Sequence, residues 1–280
     1  MKTIRYRSRG ADVHYLEEIL TKLGYSVYVS NYFGRDSDRA VKDFQAKNGL
    51  VVDGIVGLKT WSKLIEAERN LTAYNDKFLS ELDIKDFAKD FGLEIAMVKA
   101  VNEVESRGKG FLLSGKPIIL FEGHIFWREL EKRGIKPTQY ASQQNKDVLY
   151  KRWTKTHYRG GVGEYDRLEK AAKISDAPAF HEAAYSSASW GAFQIMGFHY
   201  KHLGYASVDQ FVSAMYEHER EHLKAFGKFI EKTSFRGKKL IEWIKDKNWA
   251  RFAEGYNGPG YRKNKYDTKL KNAYTRYSSN

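Results

Sequence analysis

At 280 residues, with 42% hydrophobic and 15% aromatic side chains and only four prolines, the chain has apolar material for one large and one small core, which excludes a fibrous or disordered polypeptide. The absence of cysteine excludes disulfides, thiolate metal sites and cysteine nucleophiles together, and leaves the redox compartment open. A net charge of +13 favours partners of negative charge, but no homeodomain, zinc-finger or RNA-binding signature accompanies it, so nucleic acid is not the expected partner.

The first ten residues lack the apolar stretch of a secretory signal, and no run approaches the roughly 20 apolar residues of a membrane span. A soluble product made in the cytoplasm is expected. Next, Val13, Leu16, Ile19, Leu20 and Leu23 recur at spacings of three and four, predicting a helix that Gly24 ends. Ala40, Val41, Phe44 and Gln45 predict a second helix that stops at Asn48-Gly49. Asp53-Gly54 makes a turn before a third, short helix at Thr60–Ile65.

These elements resemble, in order, the peptidoglycan-binding module of bacterial and phage wall hydrolases. The resemblance rests on Gly10, Asp12, Val13, Leu16, Gly24, Tyr25, Phe33, Gly34, Ala40, Val41, Phe44, Gln45, Gly49, Leu50, Asp53, Gly54, Val56, Gly57, Thr60 and Trp61. Two positions depart from the pattern: Glu17 stands where the family usually has glutamine, and Ser37 where it usually has threonine. Phe44, Trp61 and Leu64 are expected in the bundle core; sugar-stacking aromatics would have to be exposed ones such as Tyr25 or Tyr32.

From Glu66 to Asp83 the pattern turns polar and irregular, as suits a linker or connecting helix. Phe87, Phe91, Ile95, Val98 and Val101 then repeat at three and four, predicting a helix through Leu93 to Val104 that delivers Glu103 and Glu105 near its end, with Gly108 and Gly110 breaking it. Cutting a glycosidic bond at neutral pH requires an acid to protonate a poor leaving group, typically a glutamic acid against an apolar wall. Glu105 closes an apolar helix face and fits that need. Glu103 lies about 200 degrees around the helix and cannot serve the same face.

Alone, a Glu-Ser pair carries nothing. Two later segments change its weight: Ser186 to Gly197, which contains Ser189-Trp190-Gly191-Ala192-Phe193-Gln194-Ile195, and Tyr256-Asn257-Gly258-Pro259-Gly260-Tyr261. Together with Glu105-Ser106 they resemble the goose-type lysozyme and lytic transglycosylase superfamily. The phrases Ile119-Leu120-Phe121-Glu122-Gly123-His124-Ile125-Phe126 and Tyr165-Asp166-Arg167-Leu168 narrow the resemblance to the N-acetylmuramidase domain of modular phage endolysins.

The resemblance implies a mainly α protein: a three-helix peptidoglycan-binding module at 1–66, a linker or connecting helix at 67–83, and a larger, predominantly helical lysozyme-like catalytic domain at 84–280 with at most a small strand pair around Ile118–Phe121. It implies cleavage of the beta-1,4 bond between N-acetylmuramic acid and N-acetylglucosamine, with Glu105 as general acid. Ser106, Gln194, Tyr256 and Asn257 would bind substrate, and no cofactor or metal is implied. Glu122 is the candidate second carboxylate, with a scaffold role beside Arg128 as the alternative. Without a second carboxylate, substrate groups would supply the nucleophile and the enzyme would be a lytic transglycosylase.

The expected partner is bacterial peptidoglycan, with anionic wall or outer-membrane polymers as further candidates. The expected form is a monomer that waits in the host cytoplasm until released to the periplasm or wall. A rival motif also stands in the chain: His218-Glu219-Arg220-Glu221-His222 satisfies His-Glu-x-x-His, which on a helix binds zinc beside a glutamate base, so a zinc peptidoglycan peptidase is the third reading. Phe211, Met215, His218, His222 and Phe226 share one stripe, however, and the histidines can simply finish a packing face. A basic C-terminal helix whose Tyr266, Leu270, Tyr274 and Tyr277 share a face is expected to pack back on the domain.

Overall fold

The computed structural model describes residues 1–73, 77–106, 110–112 and 114–279. It divides into two compact units, Met1–Asp76 and Lys77–Asn280.

The first unit holds three helices, α1 (Ala11–Lys22), α2 (Arg35–Lys47) and α3 (Leu58–Ala73). The predicted stripe closes its core: Val13, Leu16, Ile19 and Leu20 meet Val41, Phe44, Val56, Trp61 and Leu64, while Leu23 is only partly buried. Trp61 is core, with its indole N–H donating to the Lys2 carbonyl at 3.0 Å. Gln45 accepts from the Asp53 and Gly54 amides and so holds the Asp53-Gly54 turn. At Gly54, with φ of 74°, a Cβ would stand 2.6 Å from Asp38 Oδ1. The two departures from the module pattern meet each other: the Ser37 hydroxyl donates to buried Glu17 at 2.7 Å, and the other Glu17 oxygen accepts from the Ser30 amide at 2.6 Å. Tyr25 is partly buried and its phenol is pushed up to about 12 by burial and by Asp43; Tyr6, Tyr28 and Tyr32 are the exposed tyrosines among the described residues of this unit. Helix α3 runs on past Glu66 to Ala73, so this part of the expected linker is helical. Asn75 and Asp76 of that linker lie outside the described residues.

The second unit opens with α4 (Glu81–Phe91), capped reciprocally by Ser80 and Asp83. The single helix expected from Phe87 onward is divided: Gly92 takes a left-handed conformation that ends α4, and α5 (Ile95–Val101) starts afresh before widening into a π-turn over Asn102–Ser106. Periodicity did not reveal this break because Phe87, Val98 and Val101 still face one core. Gly108 lies outside the described residues.

Strand β1 (Ile119–Phe121) pairs antiparallel with β2 (Ala188–Trp190), which pairs with β3 (Ile195–Met196). A second two-stranded sheet joins β4 (Ser234–Phe235) to β5 (Lys238–Lys239), so strand content exceeds the single pair expected. Around these pack α6 (Gly123–Lys132), α7 (Gly163–Ala172), α8 (Pro178–Ser186), α9 (Tyr200–Leu203), α10 (Val208–Glu217), α11 (Glu219–Lys232), α12 (Leu240–Lys245), α13 (Trp249–Asn257) and α14 (Tyr266–Ser278). Fully buried Arg167 on α7 pairs with Glu164 at 2.8 Å and donates to the Phe121 and Asp147 carbonyls, so a paired charge ties β1 to the long loop before α7. The chain ends with α14 laid against α5, where Leu270 is buried and Tyr274 and Tyr277 donate to Glu94 and Glu103. The C-terminal stripe is therefore a packing face.

Candidate active site

Glu105 sits on the π-turn, where the wider helical spacing turns its carboxyl toward a cleft of about 370 Å³. Glu103, two residues earlier, faces elsewhere and is bound by Arg276 and Tyr277 from α14. The far wall of the cleft comes from the end of α13, where Asn257 Nδ2 donates to Glu105 Oε1 at 3.1 Å. Two motif segments 152 residues apart are thereby joined at the acid. Gly258, with φ of 75°, releases the chain from α13 just after Asn257, in a conformation that glycine adopts at little cost.

The third wall is the hairpin between β2 and β3. Gln194 takes a left-handed φ of 49°, a strained conformation for a non-glycine residue, and its amide compensates: Oε1 accepts from Ser189 at 2.7 Å, and Nε2 donates to the carbonyls of Gly191 at 2.9 Å and Ile118 at 3.2 Å. Gln194 thus lines the cleft while its amide protons hold the hairpin and the residue before β1. Tyr256 behaves similarly. Its ring lines the cleft, but its hydroxyl donates to the Phe193 carbonyl at 2.8 Å, and burial, with the nearby Glu105 charge, pushes the phenol well above its usual range. Ser106 is buried and its hydroxyl turns back to the Asn102 carbonyl. Trp190, Phe193 and Ile195 are buried, and the latter two also floor the cleft.

Glu122 is not among the residues lining this cleft. It stands between β1 and α6, where its Oε1 accepts from Tyr158 at 2.6 Å and its Oε2 lies 3.2 Å from His124 Nδ1. Burial raises its pKa against the opposing pull of the Tyr158 bond. Its hydrogen-bond partner is thus Tyr158, while Oε2 and His124 Nδ1 make no hydrogen bond and Arg128 acts on the carboxyl only through its charge. Among the described residues that line the cleft, Glu105 is the only carboxylate.

Sequence reasoning missed His199, Phe229 and Tyr266, which also line the cleft. His199 sits beside Phe198 and Phe229, and burial drives its imidazole down to about 4, so it is neutral at pH 7. Its nearness in sequence to Gln194 was the available signal.

The zinc arrangement is contradicted by the geometry. His218 is extended and precedes α11, capping it by accepting from the Arg220 amide at 2.8 Å, so it is not one helical turn from His222. His222 has both ring nitrogens engaged, and Glu219 has both oxygens engaged by backbone amides. No pair of imidazoles faces a common ion there.

A cleft in a helical domain whose described lining holds one carboxyl group among amide, phenol and aromatic groups is the arrangement of a glycosidase of the lysozyme type. The N-acetylmuramidase family profile matches residues 94–278, and a peptidoglycan binding domain profile matches residues 9–64. The chain belongs to the N-acetylmuramidase family and is a modular peptidoglycan hydrolase. Among solved structures, the crystal structure of the Burkholderia AP3 phage endolysin is similar over 100% of both chains, with 40% identity and a TM-score of 0.66. No curated protein matches the chain. No helix among the described residues is long and apolar enough to cross a membrane.

Proposed function

We propose that Glu105 is the general acid that protonates the leaving oxygen of the beta-1,4 bond between N-acetylmuramic acid and N-acetylglucosamine. The observation that carries this reading is the Asn257–Glu105 hydrogen bond inside the cleft. By holding Oε1 as an acceptor, Asn257 fixes the orientation of the carboxyl on the cleft wall. Tyr256 and Gln194 serve by shaping the walls, and the ring faces of Tyr256 and Phe229 suit packing against pyranose rings. Neutral His199 offers a hydrogen bond to a sugar hydroxyl or acetamide without adding charge.

The absence of a second carboxylate among the described lining residues favours assistance by a substrate group or a bound water over a glutamate or aspartate nucleophile. That keeps the transglycosylase outcome as the second reading. The likeness to a phage endolysin supports a lysis role, and we read the enzyme as a monomer that accumulates in the host cytoplasm and reaches the wall after release, held there by its N-terminal module.

The test is mass spectrometry of soluble products from purified sacculi, comparing the unmodified chain with Glu105→Gln. Reducing-end N-acetylmuramic acid products that vanish in the variant are expected. Anhydro-muramic products would make the enzyme a transglycosylase, and an active Glu105→Gln would remove Glu105 from the role of acid.

A further inference from the structure

The His-Glu-x-x-His segment binds no ion in the geometry described above, yet Glu219 and His222 are among the buried polar residues of the second unit, 8% and 1% exposed. Their partners are all backbone groups from elsewhere in that unit. Glu219 Oε1 accepts from the Gly110 amide at 2.8 Å, and Oε2 accepts from the Leu79 amide at 3.0 Å. His222 Nδ1 accepts from the Ala192 amide at 3.1 Å, so the proton sits on Nε2, which donates to the Met215 carbonyl at 2.7 Å.

Gly110 follows Glu105 by five residues, and Ala192 stands two residues before Gln194. The two anchored points are linked to each other: the Ile118 amide donates to the Gly110 carbonyl at 2.9 Å, and the Ile118 carbonyl accepts from the Gly191 amide at 2.8 Å and from Gln194 Nε2 at 3.2 Å. Close approach is built in on both sides. A Cβ at Gly110 would stand 2.5 Å from Glu219 Oε1, and one at Gly191 would stand 2.7 Å from His222 Nδ1.

We infer that Glu219 and His222 are positioning residues of the muramidase reaction: one helix end holds both Gly110, five residues past Glu105 in sequence, and the hairpin bearing Gln194, and so sets the width of the cleft on which Glu105 stands. The inference rests on Glu105 being the acid. Burial keeps His222 neutral, as the Nδ1 acceptor role requires.

The test measures kcat and KM of the full chain on solubilised glycan strands, with melting temperature read in parallel. Glu219→Gln replaces one amide acceptor by a donor facing a backbone N–H, and a fall in kcat of about tenfold or more at nearly constant KM is expected in protein that is still folded. For His222 the paired variants separate positioning from bulk stability. Asn keeps an acceptor near the Nδ1 position and Gln keeps a donor near Nε2, so His222→Asn should retain kcat within about threefold while His222→Gln loses about tenfold. Equal kcat losses in the two, or losses that track only the folded fraction, would overturn the inference.

Where Glu219→Gln fails to fold, Gly110→Ala supplies the second route. It should lower kcat in the native background and cost clearly less in Glu219→Ala, where the new methyl no longer meets the carboxyl and only His222 Nδ1, 2.9 Å away, still opposes it. Simple additivity would count against the pair. Should Glu105→Gln stay active, the assignment of the acid fails; should Glu105→Gln be inert while the Glu219 and His222 variants keep native kcat, only the positioning inference fails.

Discussion

Two regions of the second unit hold glutamates with similar credentials in sequence and opposite fates in the fold. Around Glu105 the carboxyl lines an open cleft and accepts from the Asn257 side chain, whereas around Glu219 both oxygens accept from the Gly110 and Leu79 backbone amides. The difference teaches that the two carboxylates are set apart by where the fold places them, one on the wall of a cleft and the other between backbone amides. A carboxylate whose oxygens both accept from backbone amides has its bonds committed to holding chain, however well its motif fits a metal site.

The largest effect that could break this contrast lies at the cleft. Glu105→Gln keeps shape and removes the proton, and turnover on purified sacculi should fall by about a thousandfold, within the range ordinary for a general acid. A residual rate near the native one would put Glu105 on the same footing as Glu219.

The second prediction concerns acid. Burial lowers the His222 imidazole from 6.5 to about 4, so the unfolded chain binds more protons than the folded one between those values. Stability contributed by keeping His222 neutral is therefore complete above pH 6.5 and is lost as pH falls through about 4, for roughly 3 kcal/mol in all. Thermal melts at pH 7 and pH 4.5 should show a larger acid loss for the native chain than for His222→Asn, which has no proton to take up. Parallel losses would show that other groups dominate.

A smaller effect is expected at Asn257. Asn257→Ala removes a hydrogen bond to a carboxyl group, worth about 2 kcal/mol, so kcat should fall by roughly thirtyfold with the melting temperature little changed. A change confined to KM would recast Asn257 as a substrate contact. The smallest test sharpens the contrast from the other unit. Glu17→Gln should destabilise the N-terminal module by about 1 kcal/mol, because the bond from the Ser30 amide is weakened, while binding to sacculi is unchanged; urea melts of the chain and a pull-down check both halves.

Much of this was readable in the chain. The stripe at Val13, Leu16, Ile19 and Leu20 has a helical period, and burial of one face is the direct result. Glu105, Gln194, Tyr256 and Asn257 were recognisable from three short segments that all reach one cleft. The break at Gly92 was not, because one residue in a left-handed conformation interrupts a helix without disturbing which side chains face the core. Glu122 and Arg128 were matched by nearness in sequence, but Tyr158, 36 residues on, is the bonded partner.

Local order in the sequence thus carried the helices, their apolar faces and the residue types needed for acid catalysis, since periodicity and turn chemistry act over a few residues. Which glutamate lines the cleft and which holds backbone depended on donors more than a hundred residues away, as with Asn257 on Glu105 and Gly110 on Glu219, and whether two histidines four apart can face one ion depended on where α11 starts and on the Ala192 and Met215 backbone. Hydrogen-bond satisfaction of buried groups is settled by the packed fold, and no spacing rule along a chain encodes it.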